Sequence, residues 1–164
     1  QPMLRYLSRS LLIVAFLLCH PAQVRADAEK TLQTRFATIH YSDDREISDF
    51  LWRITGKRLA LTDSAELVKN RVDELVERVE TLLEMYPSPF QFSIQLEAHT
   101  LQDPVALYSH RTRTITLAID RVTDGVLAHE MAHAVINAYF PVPPPEKAQE
   151  ILAQYVDKNL YNLY

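Results

Sequence analysis

Glycine and cysteine are scarce in this sequence, and their scarcity excludes several classes of site. Only two glycines occur in 164 residues, so a Gly-rich phosphate loop and a dinucleotide fingerprint are both excluded. The single cysteine, Cys19, lies in a segment that we expect the mature chain to lose, so neither a disulfide nor thiol redox chemistry is expected. The net charge is −4 with acids and bases interleaved, and no basic face suggests a nucleic-acid partner.

The one strongly apolar run lies near the N-terminus, from Leu11 to Cys19. Arg5 and Arg9 precede it, and the small residue Ala26 ends an A-x-A-like sequence downstream. This pattern predicts a secretory signal peptide over residues 1–26, cleaved after Ala26. The alternative is an uncleaved anchor, the one case in which we expect a membrane partner. Residues 27–164 would then form a single domain, since about 138 residues can bury a core of their own.

Hydrophobic periodicity predicts alternating and helical segments along the mature chain. Alternation predicts strands over 34–41 and 90–97 and one or two strands over 106–120. Helical spacing predicts helices over about 42–54, from near 63 to 86, over 124–139 and from 146 to about 160. This order predicts an α+β fold in which the helices are segregated from a small mixed sheet.

The segment VLAHEMAHAVI, Val126 to Ile136, is apolar at eight of its eleven positions. Its three polar residues are His129, Glu130 and His133, which share one stripe because successive helical residues are about 100° apart. Buried imidazoles and carboxylates are costly unless they are paired or bound to a metal. Two histidines one turn apart can bind one zinc ion, and the adjacent glutamate can hold a water beside it. The H-E-x-x-H spacing therefore predicts a zinc site.

A catalytic zinc site usually has three protein ligands, so a third must come from elsewhere in the chain. Position 139, six residues after His133, is a tyrosine, which excludes the metzincin spacing. The last predicted helix offers Glu146 in its first turn and Glu150 one turn later. We favour Glu150, because a helix that folds back after the proline turn can direct it towards both histidines.

The H-E-x-x-H motif, the short turn and the sequence Glu150-Ile-Leu-Ala-Gln-Tyr155 together resemble the gluzincin zinc metallopeptidases, in particular the small bacterial minigluzincin or peptidase MA-like domains. The resemblance covers about Thr34 to Leu160. It implies a zincin-like fold with a thermolysin-like catalytic core: a small sheet, an active-site helix and a glutamate-bearing helix. It also implies that Thr112 to Ile119 is the edge strand of a substrate groove. Thermolysin-like relatives have an aspartate one turn after the third ligand that orients a zinc-bound histidine; here Gln154 has that position, and its carbonyl oxygen could do the same.

The function implied is metalloendopeptidase activity on extended peptide or protein substrates in the bacterial periplasm or outside the cell. Zinc on His129, His133 and Glu150 would acidify a water, and Glu130 would take its proton and pass it to the leaving amine. Tyr155, Tyr139 and His110 are candidates for stabilising the oxyanion. The alternative is a protein of the same fold that holds zinc and binds peptides without cleaving them.

Overall fold

The computed structural model describes residues 29–56, 61–99 and 103–162, with the backbone alone for residues 61 and 62. The predicted signal peptide, residues 1–26, lies outside this range. The described chain is a mixed α+β fold with five strands and four helices. The strands are β1 (Lys30–Gln33), β2 (Ala37–Tyr41), β3 (Phe92–Glu97), β4 (Ala106–Ser109) and β5 (Thr114–Ala118). The helices are α1 (Asp44–Thr55), α2 (Leu61–Leu83), α3 (Asp124–Tyr139) and α4 (Glu146–Asn159).

The strands form one mixed sheet in the order β1-β2-β3-β5-β4. The two central pairings, β2 with β3 and β3 with β5, are parallel, and the two outer pairings are antiparallel. The register aligns Ile39 with Ile94 and Ile94 with Ile115, so these buried side chains share one face. That face packs with the helices in one hydrophobic core. The segregation of helices from a small mixed sheet is as the sequence predicted.

The helices begin and end where local sequence signals place them. Asp43 caps α1 and forms a capping box with Glu46, and Gly56 ends the helix in the left-handed conformation at φ 72°. Thr123 caps α3 through its side chain, which accepts from the backbone of Val126. Among the described residues, no helix has the length and apolar content needed to cross a bilayer.

The predicted edge strand, Thr112 to Ile119, is wrong. This segment contains β5, which lies inside the sheet between β3 and β4, and β4 is the edge strand. The reason is apolar content: Ile115 and Leu117 of β5 are at most 1% exposed, whereas Leu107 of β4 is 58% exposed. The strand with more apolar surface to bury takes the interior position.

The first predicted strand also begins later than expected, at Ala37. Thr34 forms a turn instead, in which its hydroxyl oxygen accepts from the backbone N–H of Ala37. The strand before this turn, β1, was not predicted, because four largely exposed residues without alternating hydrophobicity carry no periodic signal.

Candidate metal centre

Helices α3 and α4 provide the side chains of the candidate centre. They are joined by a proline-rich turn over residues 140–145 and pack antiparallel, since Gly125 near the start of α3 lies against Asp157 near the end of α4. Helix α3 is buried over most of its circumference, as its apolar sequence predicted. The fold therefore directs the polar stripe of α3 towards the first two turns of α4.

Three side chains converge between these helices. Glu150 Oε1 lies 3.4 Å from His129 Nε2, and Glu150 Oε2 lies 3.5 Å from His133 Nε2. One ligand atom from each of the three residues lies within 4.8 Å of the other two. A tetrahedral ion with ligands at about 2.0–2.1 Å separates its donor atoms by about 3.3–3.4 Å. His129, His133 and Glu150 therefore form a group that could hold a metal ion.

Glu146, the other glutamate considered as a ligand, is exposed at the start of α4. It lines the same cleft but lies outside the group of three converging residues. The carboxylate of Glu150 is charged in this setting. Burial opposes its ionisation, but the hydrogen bond from Gln154 and the neighbouring imidazoles outweigh burial and hold its pKa below the usual range. A charged carboxylate beside two imidazoles is an appropriate ligand set for a divalent cation.

Gln149 fixes the orientation of His133. Its Nε2 donates to the backbone oxygen of Pro144 at 2.9 Å, so its Oε1 must face the other way. That oxygen accepts from Asn137 Nδ2 at 2.8 Å and lies 3.4 Å from His133 Nδ1. The tautomer of His133 that is protonated at Nδ1 would donate to this oxygen and leave the lone pair of Nε2 for a metal ion.

The expected role of Gln154 is wrong. Its Nε2 donates to Glu150 Oε1 at 3.2 Å, so it contacts the acidic member of the cluster and not a histidine. Sequence reasoning missed Gln149, although a glutamine directly before the candidate ligand was a usable signal. It also missed Tyr108, whose contact with Glu130 spans 22 residues of sequence.

Glu130 lies in the same cleft as the three converging residues. Its side chain is only 9% exposed, and its Oε2 accepts from the backbone N–H of Tyr108 at 2.7 Å. Burial raises the pKa of Glu130 above its usual range, although the Tyr108 hydrogen bond opposes the shift. Its other oxygen has no hydrogen-bond donor among the described residues. Glu130 is therefore a positioned carboxylate with one free oxygen and increased basicity.

The cleft has a volume of about 290 Å³. Edge strand β4 forms one wall, α3 forms the floor and the first turns of α4 form the other wall. Of the three candidates for an oxyanion donor, His110 lines the cleft. Tyr139 and Tyr155 are about half exposed and do not line it. The phenol of Tyr108, also in the wall, has a pKa raised by burial.

Comparison with known proteins adds no family assignment. A scan against protein-family models, a search of curated proteins and a search of solved structures each gave no match to this chain.

Proposed function

We propose that this protein is a zinc metallopeptidase of the gluzincin type, with a zincin-like core, that hydrolyses bonds within extended peptides. His129, His133 and Glu150 would hold the zinc ion, and Glu130 would be the general base. The observation that carries the proposal is the convergence of two Nε2 atoms and one carboxylate at 3.4–3.5 Å, with the buried carboxylate of Glu130 in the same cleft.

Zinc bound there would supply Lewis-acid chemistry by polarising a carbonyl and making a nearby water more acidic. The protein side chains account for the proton transfers. Glu130 has a free oxygen that can accept a proton from water and then give it to the leaving amine. Tyr108 holds the other oxygen of Glu130 and so limits the rotation of the carboxylate. A base held in one orientation loses less entropy on reaching the reactive geometry.

Edge strand β4 offers a binding surface for an extended peptide. Its inner side pairs with β5, and the N–H of Tyr108 points outward to Glu130. Ala106, two residues earlier, has the same orientation because strand residues alternate. Its outward N–H and C=O can pair with a substrate backbone by strand addition. A peptide bound along β4 would pass over Glu130, which is the arrangement that hydrolysis requires.

Glu130→Gln tests the proposal. We expect zinc binding to be unchanged and hydrolysis of a fluorescein-labelled casein to fall by at least about a hundredfold, because the variant cannot accept a proton. Glu146→Gln is the matched control, since it removes the same charge from the same cleft outside the converging group, and it should retain activity. Equal activity of wild type and Glu130→Gln would refute the role of Glu130 as base.

A second candidate function is a zinc-containing protein of the same fold that binds peptides without cleaving them. The lack of an assigned oxyanion donor favours it, since two of the three candidates, Tyr139 and Tyr155, do not line the cleft. This function predicts one zinc, peptide binding and no hydrolysis by either wild type or Glu130→Gln. For either function, the predicted signal peptide over residues 1–26 supports export, with the protein acting in the bacterial periplasm or outside the cell.

A further inference from the structure

A second pocket adjoins the cleft at the end of edge strand β4. Its volume is about 160 Å³, and Tyr108, His110 and Asn137 line both spaces. These three shared residues place the two spaces side by side. About 10–15 Å³ of such space holds one water, so the smaller pocket has room for a carboxylate group.

The two spaces carry opposite charge. The cleft contains the carboxylates of Glu130, Glu146 and Glu150, whereas the smaller pocket is lined by Arg113 and His110 and by no acidic residue. In the described part of the chain, no carboxylate oxygen lies within 4.0 Å of a nitrogen of Arg113. Arg113 is exposed to solvent, and an arginine in a pocket lining without a protein counter-charge attracts a ligand anion.

The backbone of Arg113 gives an independent reason to assign a role to its side chain. Arg113 has φ 52°, in the left-handed region that glycine or asparagine adopts at lower cost. Its carbonyl accepts from the N–H of Ser93 at 2.8 Å, which the backbone of any residue could do. The turn therefore does not account for an arginine here, and the position of Arg113 in the lining of the pocket does.

The geometry points to a carboxylate-binding subsite at Arg113, and we infer that the preferred substrates carry a carboxylate next to the bond positioned over the cleft. This inference rests on the proposed peptidase function and names its substrate class. An acidic side chain and a free C-terminus present the same group, which arginine binds through two parallel hydrogen bonds. His110 lines the boundary between the two spaces.

The test uses peptide hydroxamates, which bind zinc directly and need no turnover. Three probes of equal length are compared on zinc-loaded protein by isothermal titration calorimetry. The first contains a glutamine and has a free C-terminal carboxylate, and the second is its C-terminal amide. The third is this amide with glutamate in place of the glutamine. We expect at least one of the two acidic probes to bind about two- to fivefold tighter than the neutral amide, the range for a solvent-exposed ion pair. The acidic probe that binds more tightly shows whether the carboxylate comes from an acidic side chain or from the C-terminus of the substrate.

Three variants distinguish an effect of charge in the pocket from an effect of charge elsewhere on the hairpin formed by β4 and β5. Arg113→Gln should abolish the preference, and Arg111→Gln, the same charge change on the same hairpin outside the pocket, should retain it. Arg113→Gly should also abolish it while the fold is retained or stabilised, because glycine relieves the left-handed backbone. If all three probes bind wild type equally, the subsite is refuted and the metal centre stands. If no hydroxamate binds zinc-loaded protein, the proposed function fails and this inference fails with it.

Discussion

Replacing Gln149 with alanine should weaken zinc binding without removing a zinc ligand. Gln149 Oε1 lies 3.4 Å from His133 Nδ1 and accepts from Asn137 at 2.8 Å. Without this acceptor, the His133 ring is free to rotate and to change tautomer, so the lone pair of Nε2 is no longer directed at the cluster. Loss of such a hydrogen bond typically lowers metal affinity by about 10- to 100-fold. The His133 contact is long, so we expect a decrease of about tenfold, near 1.4 kcal/mol.

The assay is competition for zinc against a chromophoric chelator at fixed pH. Gln154→Ala is the matched control, because Gln154 is an exposed glutamine on the same helix and contacts Glu150 through one 3.2 Å hydrogen bond. We expect a smaller loss in this control. Thermal unfolding of both metal-free variants separates a general loss of stability from a change at the site. Wild-type zinc affinity in Gln149→Ala, with an intact fold, would refute the orientation of His133 by Gln149.

Two further predictions concern the scaffold. Asp43→Ala removes the side-chain cap and the capping box of α1 and should destabilise the protein by about 1 kcal/mol in urea unfolding, whereas the exposed Asp49→Ala should have little effect. Burial, together with the nearby Glu77 charge, raises the pKa of Glu80 above its ordinary 4.5. The charged form of Glu80 therefore destabilises the fold above its folded pKa, and this cost disappears as pH falls below the unfolded value. Glu80→Gln should raise Tm at pH 7 and give no gain below about pH 4; a gain independent of pH would contradict this.

Local signals in the sequence accounted for the helices. Thr123 as a cap and the bounds of α3 were predictable because capping and the apolar run are properties of neighbouring residues. The convergence of Glu150 on His129 and His133 was also predictable in outline. A proline turn limits how α4 can return, and helical spacing then restricts which residues face α3.

The remaining features depend on contacts between distant segments. The position of β5 inside the sheet depends on competition between two adjacent strands for burial, which alternation within each strand does not reveal. Gln149 was missed and the role of Gln154 was misjudged. Five positions separate the two on α4, so their directions differ by about 140°, and only packing decides which one meets His133. The Tyr108 contact with Glu130 required the sheet and α3 to be placed together.

The most direct test of the metal centre is the zinc content of the purified protein after equilibration with excess zinc and gel filtration, measured alongside Glu150→Ala and Glu146→Ala. The proposed ligand set predicts about one zinc per chain in wild type and in Glu146→Ala, and a markedly lower content in Glu150→Ala. Absence of zinc from folded wild-type protein, or equal zinc in Glu150→Ala, would contradict a centre formed by His129, His133 and Glu150.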